Sequence, residues 1–187
     1  MTISYSELRR GTVIVLDEEP WQVTEWKHTK MQQRAPVITL KLRNLRSGRA
    51  MERNVPGNQK LTLAEVDTRE AQYLYCDGDN YLFMDMQAFD QYPLVANQVG
   101  DALQYLKEQD MVQIVFYRDD PISVELPTFV ELQVTETPPS LKGNTAQGST
   151  KPATLETGLT VHVPFFVNTG EVVKVDTRTG EYLERVG

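Results

Sequence analysis

Alternation of apolar and polar side chains is the dominant pattern along the chain, and it predicts β-strands in nearly every segment. The clearest case is residues 37–43, in which three aliphatic residues alternate with Thr39, Lys41 and Arg43. A period of two places the apolar residues on one face of a strand and the polar residues on the other. We therefore predict a strand here with one buried face and one basic, solvated face.

Turn signals divide the first 64 residues into hairpins. The apolar runs 12–16 and 21–23 flank the polar segment 17–20, and Ser47 with Gly48 closes a second hairpin after Leu45. Short strands with tight turns are typical of small curved sheets. Residues 1–64 are therefore predicted to form a small, strongly bent sheet or barrel.

A second module is predicted to begin near residues 63–65, where the sequence pattern of the first module ends. Two strand-like runs, 72–76 and 81–84, are joined by Asp77-Gly78, which is a strong signal for a hairpin with a type I′ turn. Apolar residues near helical spacing indicate one short helix between Pro93 and Asp110. Runs 112–117 and 122–126 complete a set of five strands.

The third module is predicted to begin at about Phe129. It contains the only long stretch without a strand or helix pattern, residues 138–151, which is rich in Pro, Gly, Ser, Thr and Asn. A loop of that length within a compact domain is usually functional or mobile. Further strands follow at residues 161–163, 172–175 and 182–186, so the whole chain is predicted to consist of three consecutive β-modules.

Charge is distributed unevenly between the parts of the chain, whose overall net charge is −7. Residues 1–64 hold 11 lysines and arginines against 6 aspartates and glutamates, a net charge of +5. Residues 65–187 hold 8 against 20, a net charge of −12. This asymmetry suits a protein that turns a basic end toward nucleic-acid phosphate, and an uneven surface without function explains it equally well.

Several protein classes are excluded by what the sequence lacks. No window approaches the roughly 18 apolar residues of a membrane span, and the polar start is unlike a secretion signal, so we expect no membrane contact and a cytoplasmic protein. Cys76 is the only cysteine, and its apolar neighbours predict a buried structural thiol. His28 and His162 lie in different predicted modules without an accompanying catalytic motif, so we expect neither a catalytic residue nor a metal site.

The most specific motif is a spaced set of residues in the third module: Lys151, Pro152, Ala153, Gly158, Val161, Val163, Pro164, Val167 and Gly170, followed by the run 174–182. Other matches occur in the same order along the chain, at Tyr75, at Asp77-Gly78, at Phe83-Met84, at 129–132 after Pro127, and at 141–143. Together these motifs are similar to those of the bacterial elongation factor P family, over essentially the full chain. A spaced match of this kind is far more specific than a single short motif.

The resemblance implies a fold and a function. The expected fold is all-β and L-shaped, with three small barrels: an SH3-like barrel of the KOW type (1–64), a central OB fold (65–127) and a C-terminal OB fold (128–187). Such factors bind the ribosome beside peptidyl-tRNA and stimulate peptide bond formation at consecutive prolines by steadying the CCA end, without a cofactor. The implied partners of a monomeric factor are the ribosome, ribosomal RNA, peptidyl-tRNA and an exit-site mRNA codon.

One loop of the first module departs from the family pattern. The family loop resembles Lys-Pro-Gly-Lys-Gly, in which the second lysine, or an arginine in some branches, is modified, whereas residues 30–36 read Lys-Met-Gln-Gln-Arg-Ala-Pro. An ungapped match places Gln33 at the modified position, which removes the target of a lysine-modifying route. Arg34, one position later, can pair with phosphate or stack on a base without modification. The loop facing peptidyl-tRNA is thus predicted to comprise Lys30, Gln32, Gln33 and Arg34, and a merely solvated charge is the alternative for Arg34.

Two further sites are implied in the third module. Gly143, Asn144 and Thr145 resemble a Gly-Asp-Thr stretch that lies near the exit-site codon in the family, and Asn144 keeps hydrogen-bonding ability while losing the charge. Tyr182 and Arg185 match positions that face the small subunit, where a ring can stack and a guanidinium can bind phosphate. Cross-strand packing explains Tyr182 equally well.

The alternative function is binding to RNA or to ribosomes without the rescue of proline stalls. An RNA-binding OB protein, or an elongation-factor-P-like paralogue that occupies ribosomes without rescuing proline stalls, is compatible with the same modules and charge distribution. The altered loop at residues 30–36 is the feature that keeps this alternative open.

Overall fold

A computed structural model describes residues 1–31, 34–139 and 150–187, and for residues 30, 31, 34 and 35 it describes the backbone alone. The described residues contain two 3-10 helices (Tyr5–Glu7 and Gly100–Gln104), one α-helix, α1 (Ala96–Val99), and the strands β1 (Thr2–Ile3), β2 (Val13–Leu16), β3 (Glu19–Met31), β4 (Arg34–Asn44), β5 (Ala50–Pro56), β6 (Leu61–Thr62), β7 (Val66–Asp77), β8 (Asn80–Asp85), β9 (Gln91–Val95), β10 (Met111–Tyr117), β11 (Asp120–Glu125), β12 (Phe129–Glu136), β13 (Thr150–Leu155), β14 (Thr160–Pro164), β15 (Val172–Asp176) and β16 (Tyr182–Val186).

The strands form three antiparallel sheets that follow one another along the chain, which confirms the all-β prediction. The first sheet has the order β2-β3-β4-β5 and is accompanied by the small pair β1-β6. The second has the order β11-β10-β7-β8-β9, and the third β14-β13-β12-β15-β16. None of the helices among the described residues is long and apolar enough to cross a membrane.

Strand β4 carries the alternation that the sequence predicts. Ile38, Leu40 and Leu42 are at most 1% exposed, whereas Lys41 on the opposite face is exposed. The three aliphatic side chains pack in the first core with residues of β2, β3 and β5. Burying a side chain of this size contributes about 1.5–3 kcal/mol, so this one strand accounts for much of the stability of the first sheet.

The hairpin of β7 and β8 is present, but its turn differs from the prediction. Asp77 pairs with Asn80, so the central residues of the turn are Gly78 and Asp79, and only Gly78 has a positive φ, of +62°. A type I′ turn requires positive φ at both central positions, so the predicted type I′ turn is wrong. A positive φ at the first position alone, with glycine there, is the pattern of a type II′ turn.

Cys76 is exposed, so the prediction of a buried thiol is wrong. The register of β7 against β8 shifts between Tyr73 and Tyr75, which interrupts the alternation of buried and exposed positions. Beyond this bulge β7 approaches the solvated end of its hairpin, where the Cys76 thiol donates a hydrogen bond to the Gly78 carbonyl at 3.3 Å. Bulges of this kind leave little trace in the hydrophobic pattern.

The first and second units share a small apolar core. Leu45 from the first unit packs against Val115, Tyr117 and Ile122 of the second. Around this core, the Arg46 guanidinium lies 2.7 Å from the Asp120 carboxylate. The contact therefore combines buried apolar area with an ion pair at its edge.

The short helical segment after β9 fits the prediction between Pro93 and Asp110, and its Gly100 forms a second contact with the first unit. Gly100 has φ +62° and ψ −138°. A Cβ added there would lie 2.6 Å from the Arg43 guanidinium. That guanidinium donates a hydrogen bond to the Asn97 carbonyl. The backbone conformation therefore favours glycine, and an added Cβ would also force the end of the Arg43 side chain to move.

Substituting Gly100→Ala should lower the free energy of unfolding by about 1–3 kcal/mol, and by more than Gly78→Ala, because the added Cβ strains the backbone and also displaces the Arg43 guanidinium from its hydrogen bond with Asn97. Gly78→Ala is the matched control, since Gly78 has the same φ of +62° but no heavy atom within 4 Å of an added Cβ. Urea unfolding of both variants measures the difference. An equal loss in the two would show that the contact with Arg43 contributes nothing.

The second and third units are joined by Tyr105, which follows the helical segment. Tyr105 is 7% exposed and belongs to the core of the third unit, whereas the next residue, Leu106, belongs to the core of the second. Two hydrogen bonds cross the same joint: Lys107 Nζ donates to the Glu131 carbonyl at 2.9 Å, and Thr177 Oγ1 donates to the Pro127 carbonyl at 2.8 Å. This pattern of contacts fixes the third sheet to the second.

Candidate functional site

Among the described residues, the longest hairpin is formed by β3 and β4, and it extends past the strands beside it. The pairing of β3 with β4 runs from Trp21 opposite Asn44 to Met31 opposite Arg34. On one side, β5 stops at the pair Val37 with Pro56. Three residues of β4 and two of β3 therefore continue beyond β5, a projection of about 7–10 Å at roughly 3.3 Å per residue.

The base of this projection is held by close contacts. The Gly57 N–H donates a hydrogen bond to the Pro36 carbonyl at 2.8 Å, and a Cβ added to Gly57 would lie 3.0 Å from that carbonyl oxygen. On the other strand the His28 ring stacks on Tyr5, with 5.1 Å between ring centroids and 19° between planes. Contacts on both strands thus hold the hairpin in place where it extends beyond the first sheet.

The predicted loop residues fall at the end of the projection. Pairing places the backbone of Lys30 in β3 and that of Arg34 in β4, on opposite strands of the same hairpin end. The register shifts between Thr29 and Met31, and such a bulge bends and twists a hairpin. Gln32 and Gln33 lie outside the described residues.

Much of the positive charge on the solvated face of the hairpin is paired. The Glu25 carboxylate lies 2.6 Å from Lys41 Nζ and 3.7 Å from Lys27 Nζ. The hydrogen bond from Lys41 lowers the pKa of Glu25, and the same contact raises the pKa of Lys41. Both groups therefore stay charged at neutral pH, and their charges offset each other along the shaft of the hairpin.

Other basic residues of the first unit carry the excess charge. Among the described residues, no ion pair within 4.0 Å involves Arg9, Arg10, Arg49 or Lys60, and all four are exposed. Exposed, unneutralised arginine and lysine side chains are the groups that bind phosphate in solution. These residues therefore supply exposed positive charge on the first unit outside the shaft of the hairpin.

The third unit holds two of the predicted contact residues on β16. Tyr182 is half-buried, pairs with Val175 and packs against the third core, so it has a packing contact as well as an exposed edge. Arg185 Nη1 lies 3.0 Å from Glu171 Oε1, and its guanidinium stands over the Phe166 ring at 5.7 Å. Tyr182 and Arg185 are on one strand but have different surroundings.

The turn before β16 is fixed by an acidic residue. The Asp176 carboxylate accepts hydrogen bonds from Arg178 Nη2 at 2.6 Å and from the Arg178 N–H at 2.8 Å. The side-chain hydrogen bond from Arg178, followed by the backbone one, lowers the pKa of Asp176 to about 2. This carboxylate therefore stays ionised in the folded protein well below the pH at which it protonates in the unfolded chain.

Lowering the pH should destabilise the folded protein through protonation of Asp176. Because the pKa of Asp176 is lower in the folded state than its ordinary value of 3.8, its contribution to stability is present above about pH 4 and is lost as the pH falls toward 2. Urea unfolding measured between pH 5 and pH 2 should show a shallower loss of stability for Asp176→Asn than for the unsubstituted protein. Parallel curves for the two would contradict the assignment.

The predicted exit-site loop, with Gly143, Asn144 and Thr145, lies outside the described residues. The strands on either side of it are tied together at its base: Lys151 Nζ donates to the Pro138 carbonyl at 2.8 Å, and Thr137 Oγ1 donates to the Pro152 carbonyl at 2.9 Å. Lys151 is 4% exposed. Its position in the spaced motif is thereby explained, because it anchors the root of the loop.

The described residues offer no arrangement suited to binding a metal ion. No group of three or more His, Cys, Asp or Glu side chains comes together among them. The sites described above are therefore surfaces that carry charge and aromatic rings.

Family comparisons cover the chain in three consecutive pieces. The model described as the elongation factor P KOW-like domain matches residues 4–61, that of the elongation factor P OB domain matches residues 66–124, and that of the elongation factor P C-terminal domain matches residues 130–185. Elongation factor P from Thermodesulfovibrio yellowstonii is 47% identical over 184 residues, which are 98% of each chain.

The chain belongs to the elongation factor P family.

A second relative within the elongation factor P family agrees with this assignment. Elongation factor P from Carboxydothermus hydrogenoformans is 50% identical over 184 residues, which are 98% of this chain and the whole of the relative. Among solved structures, eukaryotic translation initiation factor 5A from Methanococcus jannaschii has a TM-score of 0.51 at 16% identity, covering 66% of this chain and 91% of that one. At that identity the likeness concerns the fold alone. The family is one of translation elongation factors with KOW-like and OB domains.

The structure also shows two aromatic residues that sequence reasoning missed. Tyr105 and Phe166 were not singled out, although one joins two units and the other is 58% exposed beside Arg185. No local pattern distinguishes Tyr105 from an ordinary core aromatic, because its role depends on the unit whose core it enters.

Proposed function

We propose that the protein binds the ribosome next to peptidyl-tRNA and stimulates peptide bond formation at polyproline-type stalls. Family membership over three consecutive units supports this proposal, together with a hairpin that projects from the first sheet. Proline slows the reaction because its fixed φ and missing N–H restrict the nascent chain and the attacking amine. Positioning alone can lower such a barrier, by about 7–11 kcal/mol in ideal intramolecular cases.

The hairpin end is the part of the protein that we assign to the CCA end of peptidyl-tRNA. Lys30, Gln32, Gln33 and Arg34 are the proposed contacts, with Arg34 as the principal cation. Its guanidinium has five donors in a planar fork, which can pair with phosphate or stack on a base. The exposed basic residues of the first unit support this orientation, because the first unit is the one that approaches ribosomal RNA.

We assign the third unit to the small ribosomal subunit, where the messenger RNA is decoded. We propose that Gly143, Asn144 and Thr145 lie near the exit-site mRNA codon, and that Tyr182 and Arg185 face the small subunit. The unit boundaries are placed at 64/65 and 127/128, and the factor acts as a cytoplasmic monomer. It has no catalytic residue of its own in this scheme, since the ribosome carries out the chemistry.

A second candidate function is favoured by one observation. Gln33 stands where the family carries a modified lysine or arginine. A paralogue that occupies ribosomes or binds RNA without rescuing proline stalls would tolerate this change. The proposed function instead requires that Arg34 or Lys30 supplies the positive charge.

Toeprinting on a messenger RNA with consecutive proline codons tests the proposal. Ribosomes purified without endogenous factor should arrest at the diproline codons, and the arrest signal should disappear when the protein is added. A persistent arrest while the protein sediments with the ribosomes would support the second candidate. A persistent arrest without sedimentation would overturn both.

A further inference from the structure

A groove runs along the joint between the second and third units. It has two adjoining parts with volumes of about 320 and 340 Å³. Met111, Val112, Leu126 and Pro127 line both parts, and we call the whole the junction groove. It is bordered by the solvent-facing sides of β10 and β12, on the third-unit side of the second sheet.

The junction groove exposes two large apolar side chains. Met111 is 39% exposed at the start of β10, and Phe129 is 44% exposed at the start of β12. Both line the first part of the groove. Large apolar side chains clustered in a surface groove are typical of sites that bind a partner, because association removes them from water.

Acidic side chains border this apolar floor. Gln113 on β10 pairs with Glu70 on β7 and with Glu125 on β11, so the two carboxylates flank it on one face of the sheet. Glu131 stands two residues after Phe129 on the same face of β12. Within the part of the chain that the structure describes, none of these three glutamates makes an ion pair within 4.0 Å.

The lysines beside the groove are already engaged. Lys107 Nζ lies 3.5 Å from Glu156 Oε1 and donates to the Glu131 carbonyl. Lys174 Nζ lies 3.0 Å from Glu184 Oε1 and stands over the Phe129 ring at 5.5 Å. The rim therefore keeps a net negative charge, which repels nucleic-acid phosphate and attracts cationic groups.

We infer that the junction groove is a docking site for a basic protein segment that carries an apolar side chain, contributed by a protein of the ribosome. The apolar side chain occupies the floor between Met111 and Phe129, and lysine or arginine side chains meet Glu70, Glu125 and Glu131. This inference rests on the proposed function, since it names a protein contact of the same ribosome-bound state. It also gives the acidic body of the chain a role that complements the basic first unit.

Site-specific photo-crosslinking tests the assignment. A benzophenone amino acid replaces Phe129 in the full chain, and the purified protein is irradiated on purified ribosomes. The expected product is a crosslink to a basic ribosomal protein, identified by mass spectrometry of the joined peptides. A benzophenone at Tyr75, which is exposed to a similar degree but outside the groove, is the matched control and should not join that protein. Crosslinks from position 129 to ribosomal RNA, or none, would overturn the inference.

Charge reversal provides an independent measurement. The double substitution Glu125→Lys with Glu131→Lys should weaken ribosome binding by about tenfold or more, because like charges then face the basic partner. Asp79→Lys with Glu181→Lys makes the same change in net charge on the same two units, outside the groove, and should not weaken binding. Equal affinities for the two double variants would overturn the inference. Failure of the unsubstituted protein to sediment with ribosomes would instead refute the proposed function on which it rests.

Discussion

Replacing Arg34 by alanine should reduce the stimulation of diproline synthesis by roughly ten- to hundredfold, because a small misplacement of the reacting groups has an effect of that size. The backbone of Arg34 lies at the end of the projecting β3–β4 hairpin, opposite Met31. Its guanidinium is the proposed contact with the peptidyl-tRNA end. Expression of a reporter that contains consecutive prolines, in cells that depend on the supplied factor, measures the loss.

Two further variants separate the position of Arg34 from its charge. Arg53→Ala removes an arginine of the same unit whose guanidinium is already paired with Asp17 at 3.2 Å, and should leave rescue intact. Arg34→Lys keeps the charge but loses the planar fork, so an intermediate activity is expected if two parallel hydrogen bonds or stacking are used. Full rescue by Arg34→Ala would show that the assignment of this residue is wrong.

The intact mass of the protein from its native host bears on the same loop. Since an ungapped match to the family loop places Gln33 at the modified position, we expect the peptide that contains residues 31–34 to have its unmodified mass. Excess mass on this peptide would show that the loop is extended by a modification, and the role given to the free guanidinium of Arg34 would then be incorrect.

Substituting Tyr105→Ala should lower the free energy of unfolding by about 3–5 kcal/mol, the range for truncating a large buried aromatic side chain. Tyr105 is attached to the second unit but fills the core of the third. Burial also raises the pKa of its hydroxyl, so the side chain stays neutral at physiological pH. Urea unfolding gives the loss of stability, and hydrogen exchange shows whether the amides of β12 to β16 lose protection first.

The same substitution should also weaken ribosome binding, because it loosens the joint between the second and third units. If Tyr105 sets the position of the third unit, Tyr105→Ala should weaken ribosome binding even under conditions where both sheets remain folded. Tyr105→Phe keeps the ring and should behave like the unsubstituted protein, and Tyr75→Ala removes an exposed tyrosine and should be neutral. Normal ribosome binding by folded Tyr105→Ala would show that the joint does not need this anchor.

Local sequence predicted the strands and the succession of units but not the details that depend on contacts between them. Strand β4 was predictable because its alternation reflects one buried face, and the confirmed burial of Ile38, Leu40 and Leu42 follows from it. The turn at Gly78 and the exposure of Cys76 were not, because both depend on the register between β7 and β8. A shift of one position changes which side chains face the core.

Some features of the candidate site were likewise predictable from the sequence, and others required the fold. A hairpin with residues 30–36 at its end was predictable from the flanking pattern, but Lys30 and Arg34 lie within its two strands and not in a loop between them. The pairing of Lys41 with Glu25 could not be predicted, because residues distant in sequence become neighbours only when two strands pair in a particular register. The junction groove likewise required the fold, since its walls come from strands of two units.

The most direct test is the rate of a single prolyl peptide bond on purified ribosomes. With peptidyl-tRNA ending in proline and prolyl-tRNA as acceptor, saturating amounts of the protein should accelerate bond formation, whereas reactions between residues that do not stall should be unaffected. An unchanged prolyl rate, with the protein demonstrably bound beside the peptidyl-tRNA, would contradict a positioning role for the hairpin.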